Sequence, residues 1–270
     1  ITMKKMLMTM LFVCAAALVL AGGRREEEGD RSLEKIKEKG VFVLGLDDSF
    51  PPMGFRDDNN NIVGYDVDLA REVCKRLGVT LECQPIDWAA KEQELNTGKI
   101  DCIWNGFTMT PEREEALNFT KPYLDNAQVV IVRSDSGYKT LADLKGKTVG
   151  LQAGSSASDA LDSNEAFKSS LKGVVEFKDN LTAFMDLEIR GVDAVIMDMV
   201  VGNYSIKTTG KPFVVLAEHL ASEKYGVGFR KNDQALRDAV QKTLEEMASD
   251  GTIAAISTKW FNTDISVVGK

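Results

Sequence analysis

Val41-Phe42-Val43-Leu44-Gly45-Leu46-Asp47-Asp48-Ser49-Phe50 is the stretch whose reading decides the fold. Its first part, Val41 to Leu46, is a β-branched and leucine run and reads as a strand. Downstream, Asp66 to Leu77 repeats an apolar residue at Leu69, Val73 and Leu77 and stops at Gly78, which is an amphipathic helix with its terminator. A strand over Thr80 to Ile86, a helix over Lys91 to Leu95 stopped near Gly98, and a strand over Asp101 to Asn105 continue the alternation. Strands alternating with helices imply an α/β fold with a parallel sheet.

Thr110-Pro111-Glu112-Arg113 is a helix start. Threonine caps free backbone N–H groups, and proline at the first helical position gives up an N–H that had no partner. Arg113 therefore belongs to a first helical turn. After Tyr123 the pattern restarts with a strand over Ala127 to Arg133, a short capped helix over Thr140 to Lys145, and a strand over Lys147 to Leu151. Gly154-Ser155-Ser156-Ala157-Ser158-Asp159 forms a turn opening a helix. A helix over Leu181 to Arg190 and a strand over Asp193 to Met197 follow, with Asp198 at the strand's carboxyl end. The last long helix, Asp233 to Met247, carries Leu236, Val240, Leu244 and Met247 on one stripe, and a shorter helix containing Trp260 closes the pattern.

Of 270 residues, 44% are hydrophobic and 27% charged, with a net charge of −8. Such a chain buries one or two cores and gains no broad attraction to phosphate backbones, so nucleic acid is excluded as a partner. At the N-terminus Lys4 and Lys5 precede an uncharged run from Met6 to Ala21, closed by the small residues Ala21-Gly22-Gly23. This is the layout of a signal peptide over 1–22, and a run of about 16 residues falls short of the about 20 that span a bilayer. The expected location is extracytoplasmic, either periplasm or cell surface. Leu20-Ala21-Gly22 resembles a lipoprotein cleavage box, but Gly23 replaces the cysteine that would carry a lipid anchor. Residues 23–32, rich in Arg and Glu, read as a charged linker. Cys74, Cys83 and Cys102 remain outside the signal peptide without any C-x-x-C pair, so no zinc or other metal site, and no cofactor, is expected. Cys74 and Cys83 are the pair placed to meet if a disulfide forms; buried free thiols are the equal alternative.

Ligands of open α/β sheets sit beyond the carboxyl ends of strands, and the residues there form one chemical set: Asp47 and Phe50, Trp88, Asn105, Gly106, Thr108 and Arg113, then Ser155, Ser156 and Asp198. The planar fork of arginine suits a carboxylate, N–H groups at a helix start favour an anion, and an aspartate opposes an ammonium. A zwitterion fits that set. Trp104, Trp260 and His219 are assigned to packing or structure.

The sequence resembles the family of extracellular solute-binding proteins for polar amino acids, the receptors of ATP-driven importers. The marks of that resemblance run in order from Pro51-Pro52 through Gly64-Tyr65-Asp66-Val67-Asp68-Leu69-Ala70, Gly98-Lys99-Ile100-Asp101 and Thr108-Met109-Thr110-Pro111-Glu112-Arg113. They continue through Phe119-Thr120-Lys121-Pro122-Tyr123 and Leu144-Lys145-Gly146-Lys147-Thr148-Val149-Gly150 to Gly226-Val227-Gly228-Phe229-Arg230-Lys231. The resemblance implies a two-lobed periplasmic-binding-protein-like fold of type II, two α/β lobes joined by a two-strand hinge. Lobe one would hold 33–123 and 221–263 and lobe two 127–217, with crossings near Leu124 to Asn126 and Glu218 to Leu220. It implies a monomer that closes on a free amino acid and delivers it to the permease subunits of an ABC importer. Arg113 and Ser156 would take the α-carboxylate, Asp198 the ammonium, and Gly106 and Thr108 the ligand backbone. Phe50 and Trp88 would wall the ligand's side chain, and Asp47 would reach its far end. Ala157 stands where basic-amino-acid binders often carry a polar residue.

Enzyme motifs are absent: there is no G-x-S-x-G, H-E-x-x-H or Walker loop, and Ser169-Ser170-Leu171-Lys172 lacks a companion K-T-G. A dehydratase on the same fold is the enzymatic alternative, and a sensor without transport is the other class. Asp47 and Asp48 beside Phe50 and Trp88 favour a cationic side chain, hence lysine, arginine or ornithine. Glutamine or cystine is the alternative ligand.

Overall fold

A computed structural model describes residues 29–270; the signal peptide and most of the charged linker lie outside the described residues. The chain begins with α1 (Ser32–Lys39) and β1 (Val41–Leu46), then the short strands β2 (Ser49–Phe50), β3 (Gly54–Arg56) and β4 (Ile62–Val63). Next come α2 (Tyr65–Leu77), β5 (Thr80–Pro85), α3 (Lys91–Asn96), β6 (Cys102–Ile103), α4 (Pro111–Ala116) and β7 (Leu117–Phe119). The long strand β8 (Leu124–Arg133) leads to β9 (Thr148–Gln152), α5 (Ser156–Asp162), α6 (Glu165–Ser170), β10 (Gly173–Phe177), α7 (Asn180–Glu188), β11 (Ala194–Asp198) and α8 (Met199–Thr209). A second long strand, β12 (Phe213–Tyr225), returns the chain to β13 (Gly228–Arg230), α9 (Gln234–Ser249) and α10 (Thr252–Phe261).

Two five-stranded sheets result, ordered β5-β1-β6-β13-β7 and β10-β9-β11-β8-β12. In each, three parallel strands are extended by two antiparallel ones, so the sheets are mixed rather than wholly parallel. The parallel centre explains the apolar run that opens the chain: β1 lies between β5 and β6, and Phe42, Leu44 and Leu46 are fully buried. Helix α2 covers that sheet with Leu69 and Val73 and ends at Gly78, whose φ of 75° supplies the left-handed turn. In lobe two, Val130, Val132, Val149 and Ile196 form the equivalent core. The linker read to residue 32 gives way earlier, because Ser32 opens α1 and its hydroxyl accepts the Leu236 N–H at 3.0 Å. Asp30 likewise accepts from Ala235. Among the described residues Cys74, Cys83 and Cys102 are free thiols, with Cys74 and Cys102 buried.

The lobes are connected by β8 and β12, which pair antiparallel along their length. Leu124, Asp125 and Asn126 face Tyr225, Lys224 and Glu223, so the second crossing lies at Glu223–Tyr225, not at Glu218–Leu220. Register shifts on either side of His219 account for the difference: bulged residues lengthen one strand against its partner, and hydrophobic periodicity carries no sign of them.

Candidate functional site

The carboxyl ends of the two sheets face each other across a narrow, nearly closed cavity. Asp47, Phe50, Trp88, Asn105, Gly106, Thr108, Arg113, Ser155, Ser156 and Asp198 all line it, together with Gln152. Every residue expected from strand ends is therefore brought to one place. Gln152 was missed because β9 extends one residue past Leu151; as the last residue of a strand it satisfied the rule that found the others.

At one end, Thr110 accepts from the Arg113 N–H at 3.3 Å and starts α4, so that Arg113 enters the cavity from a first helical turn. The guanidinium lies 4.8 Å from the centroid of the Phe107 ring, a cation–π support that leaves the fork's edge free for hydrogen bonds. Nη1 donates to the Thr108 carbonyl at 3.1 Å and Nη2 reaches across to the Gly154 carbonyl of lobe two at 3.2 Å. Lys91 joins it there: its ammonium, buried against Trp88, donates to the same Gly154 oxygen at 2.9 Å. Burial lowers the pKa of Lys91, and the neighbouring Arg113 charge lowers it further. Gly154 has φ of 68°, and a Cβ there would stand 2.9 Å from Ala89 Cα, so only glycine fits this contact between lobes.

Ser156 Oγ donates to Thr108 Oγ1 at 3.1 Å, a further direct bond between the lobes. Asp198, at the end of β11, accepts from Asn126 Nδ2 and from the Tyr225 hydroxyl, both at 2.7 Å on Oδ1. Burial raises its pKa to about 7, with the Glu223 charge adding to the shift. A cation placed beside it would oppose that shift by supplying a counter-charge.

At the other end, Asp47 accepts from the Ser49 N–H at 2.9 Å and from Gln152 Nε2 at 2.7 Å, while its own N–H donates to Asn105 Oδ1 at 3.0 Å. Burial raises this carboxyl to about 6, and Asp179 and Asp48 contribute. Asp48 itself faces away into an ion pair with Arg56 at 2.5 Å and does not line the cavity. Of the two adjacent acids expected at the cavity only Asp47 is found there, because the chain turns at Asp48 after leaving β1 and sends its side chain elsewhere. Phe50 and Trp88 are both buried at the wall, and Trp88 is braced edge-on by Phe107 at 5.7 Å. Behind Gly106, the fully buried Asp66 accepts the Gly106 N–H at 2.6 Å and the Tyr123 hydroxyl at 2.9 Å. Burial raises Asp66 to about 7. Gly106 has φ of 57°, and a Cβ would press on the Phe50 and Tyr225 rings.

Two α/β lobes whose sheet ends meet over a charged cavity define a two-lobed binding protein. Residues 42–263 match the bacterial extracellular solute-binding proteins, family 3, and the chain belongs to that family. It is similar to the L-cystine-binding protein TcyJ of Escherichia coli K12, with 31% identity over 94% of this chain and 95% of the relative. Among solved structures, Tv2483 bound to L-arginine superposes with a TM-score of 0.86 at 34% identity, covering 90% of this chain and 99% of the other. A substrate-binding protein of a Streptococcus pneumoniae ABC uptake transporter with bound histidine gives 0.86 at 35% identity over 88% and 99%. These relatives are binding proteins. No helix among the described residues is long and apolar enough to cross a membrane.

Proposed function

We propose that this protein captures one free polar L-amino acid outside the cytoplasm by closing its lobes and delivers it to the permease of an ABC importer. The observation that carries the reading is the placement of Arg113 and Asp198 in one cavity, the first entering from lobe one and the second from lobe two. Arg113, with Ser156, takes the α-carboxylate, Asp198 takes the α-ammonium, and Gly106 and Thr108 take the ligand backbone. A zwitterion satisfies both only when the lobes are together, so binding energy and closure are the same event. Residues 33–123 with 226–263, and 127–222, serve as the two moving bodies, pivoting on the paired crossing of Leu124–Asn126 with Glu223–Tyr225.

For the ligand's side chain the reading is cationic: lysine, arginine or ornithine. Asp47 supplies a buried carboxylate at the far end, and Phe50 and Trp88 supply flat walls for an aliphatic or guanidinium stem. The relative solved with arginine supports it. Glutamine or cystine is the second reading, favoured by the Gln152 amide that already occupies Asp47 and by the name of the cystine-binding relative. A thermal-shift series with the free amino acids decides: a ligand at a hundred times its Kd adds about 2.7 kcal/mol. Stabilisation by glutamine or cystine but not by arginine or lysine would reject the cationic choice.

No catalytic step is part of this reading, although Asp198 and Asp47 are acids with raised pKa values of the kind a dehydratase would use. Release of product from prephenate-like acids would overturn it. Export by the signal peptide over 1–22 is tested by N-terminal sequencing of the native protein, which should start close after Ala21.

A further inference from the structure

Glu223 does not line the cavity, yet Thr108 of its lining and two residues behind it, Gln128 and Asn126, converge on it. Its Oε2 accepts from Thr108 Oγ1 at 3.1 Å, Gln128 Nε2 at 3.0 Å and Asn126 Nδ2 at 2.9 Å. Thr108 belongs to lobe one and Gln128 to β8 in the sheet of lobe two; Asn126 and Glu223 face each other on the two crossing strands. The Gln128 amide also donates to Ser156 Oγ at 3.2 Å, and Ser156 donates on to Thr108. The four side chains Gln128, Ser156, Thr108 and Glu223 therefore close a ring that threads both lobes and the crossing.

Donor accounting gives the ring a direction. A carboxylate can only accept, and an amide nitrogen can only donate. Because the Glu223 carboxylate accepts, the Thr108 proton is committed to it and Thr108 keeps lone pairs for a ligand, while Ser156 Oγ can turn its proton from Thr108 to a ligand carboxylate. Asn126 Nδ2 bridges Glu223 to Asp198 Oδ1 at 2.7 Å, which sets a second carboxylate beside the one that lines the cavity.

We propose that Glu223 is a positioning residue of the ligand site: through this ring it orients Thr108 as an acceptor, and with Asp198 it makes the floor select ligands carrying a free α-ammonium over the same molecules without it. The proposal rests on the amino-acid reading of the site and adds a residue of the crossing strand to it.

The test is calorimetric titration of the full protein and of Glu223→Gln with L-arginine and with 5-guanidinopentanoate, which is arginine lacking its α-amino group. The variant should lose at least about tenfold in affinity for arginine, while binding of the des-amino acid changes less than about threefold, because one charge-assisted contact set is removed from only one of the two probes. Glu223→Asp, which keeps the charge, should recover part of the preference. Equal losses for both probes would make Glu223 a mere prop and overturn the proposal, as would an unchanged preference. If the unaltered protein ignores arginine, the same comparison is made with L-glutamine and glutaramate, so failure of the cationic ligand choice stays separate from failure at Glu223. Binding of neither amino acid by the unaltered protein would defeat both readings.

Discussion

The two ends of the cavity are built differently. At the Arg113 end each charged group is held by several partners: the guanidinium by Phe107, Thr108 and Gly154, and Asp198 by Asn126 and Tyr225. At the Asp47 end one carboxylate faces one amide, Gln152, which is itself tied to Lys178 and Asn180. On the proposed reading, the first arrangement is preorganised for a chemical feature common to all α-amino acids. The second contains a single replaceable hydrogen bond, so a change there should alter which amino acid is preferred without altering the ability to bind one.

The sharpest way to break this comparison is Arg113→Ala. It should reduce amino-acid affinity by more than about 100-fold, since a bidentate charged contact is lost, while the melting temperature changes little because no core packing is removed. If calorimetry finds both ends equally important, the division is wrong. Asp47→Asn should act more selectively: a cationic ligand loses roughly tenfold, corresponding to about 1.4 kcal/mol, and a neutral one such as glutamine is nearly unaffected. Loss of both alike would place Asp47 in the common part of the site.

A pH experiment sharpens the contrast further. Asp47, at about 6, and Asp66 and Asp198, at about 7, all lie above the ordinary 3.8. For each, the folded state holds its proton more tightly than the unfolded chain. Stability from these groups is therefore fully present below about 4 and is lost as pH rises toward 7. Asp66→Asn should flatten that decline in thermal melts without removing binding. Ligand binding has the opposite sign: a cation at Asp198 favours the ionised form, so proton release on binding should appear below about pH 7, measured by titration in buffers of different ionisation enthalpy. The smallest expected effect is Ser156→Ala, at about 0.5–1.5 kcal/mol of affinity, the value of one neutral hydrogen bond.

Much of this architecture was legible in the sequence because local signals agreed with tertiary ones. The apolar run Phe42–Leu46 is central because it is buried on both faces, and Thr110-Pro111 places Arg113 because capping chemistry is local. Strand ends pointed to the lining residues because topology alone decides which end of a sheet faces the cleft. What stayed hidden depends on register or on contacts between lobes. Gln128 and Glu223 sit within strands, where a polar residue reads as one more outward-facing position. The bulges around His219 shift a pairing that no periodicity records, and β10 leaves Val174 and Val175 exposed, so it lacks the alternation that would announce it. Asp48 was misassigned for the converse reason: adjacency in sequence put it beside Asp47, while the turn of the chain after β1 sent it to Arg56.

The paired crossing strands have a mechanical consequence. Leu124–Asn126 and Glu223–Tyr225 form a two-stranded ladder, flanked by single bridges from Leu124 to Ser266 and from Tyr225 to Thr108. Such a ribbon resists shear in its own plane, because shear would break the ladder, and bends more readily about the axis across it. In the proposed closure it would serve as a leaf hinge, letting the lobes retrace one arc and return Arg113 and Asp198 to the same separation. Mutations in the ribbon should therefore change how often the jaws meet far more than how they fit when they do.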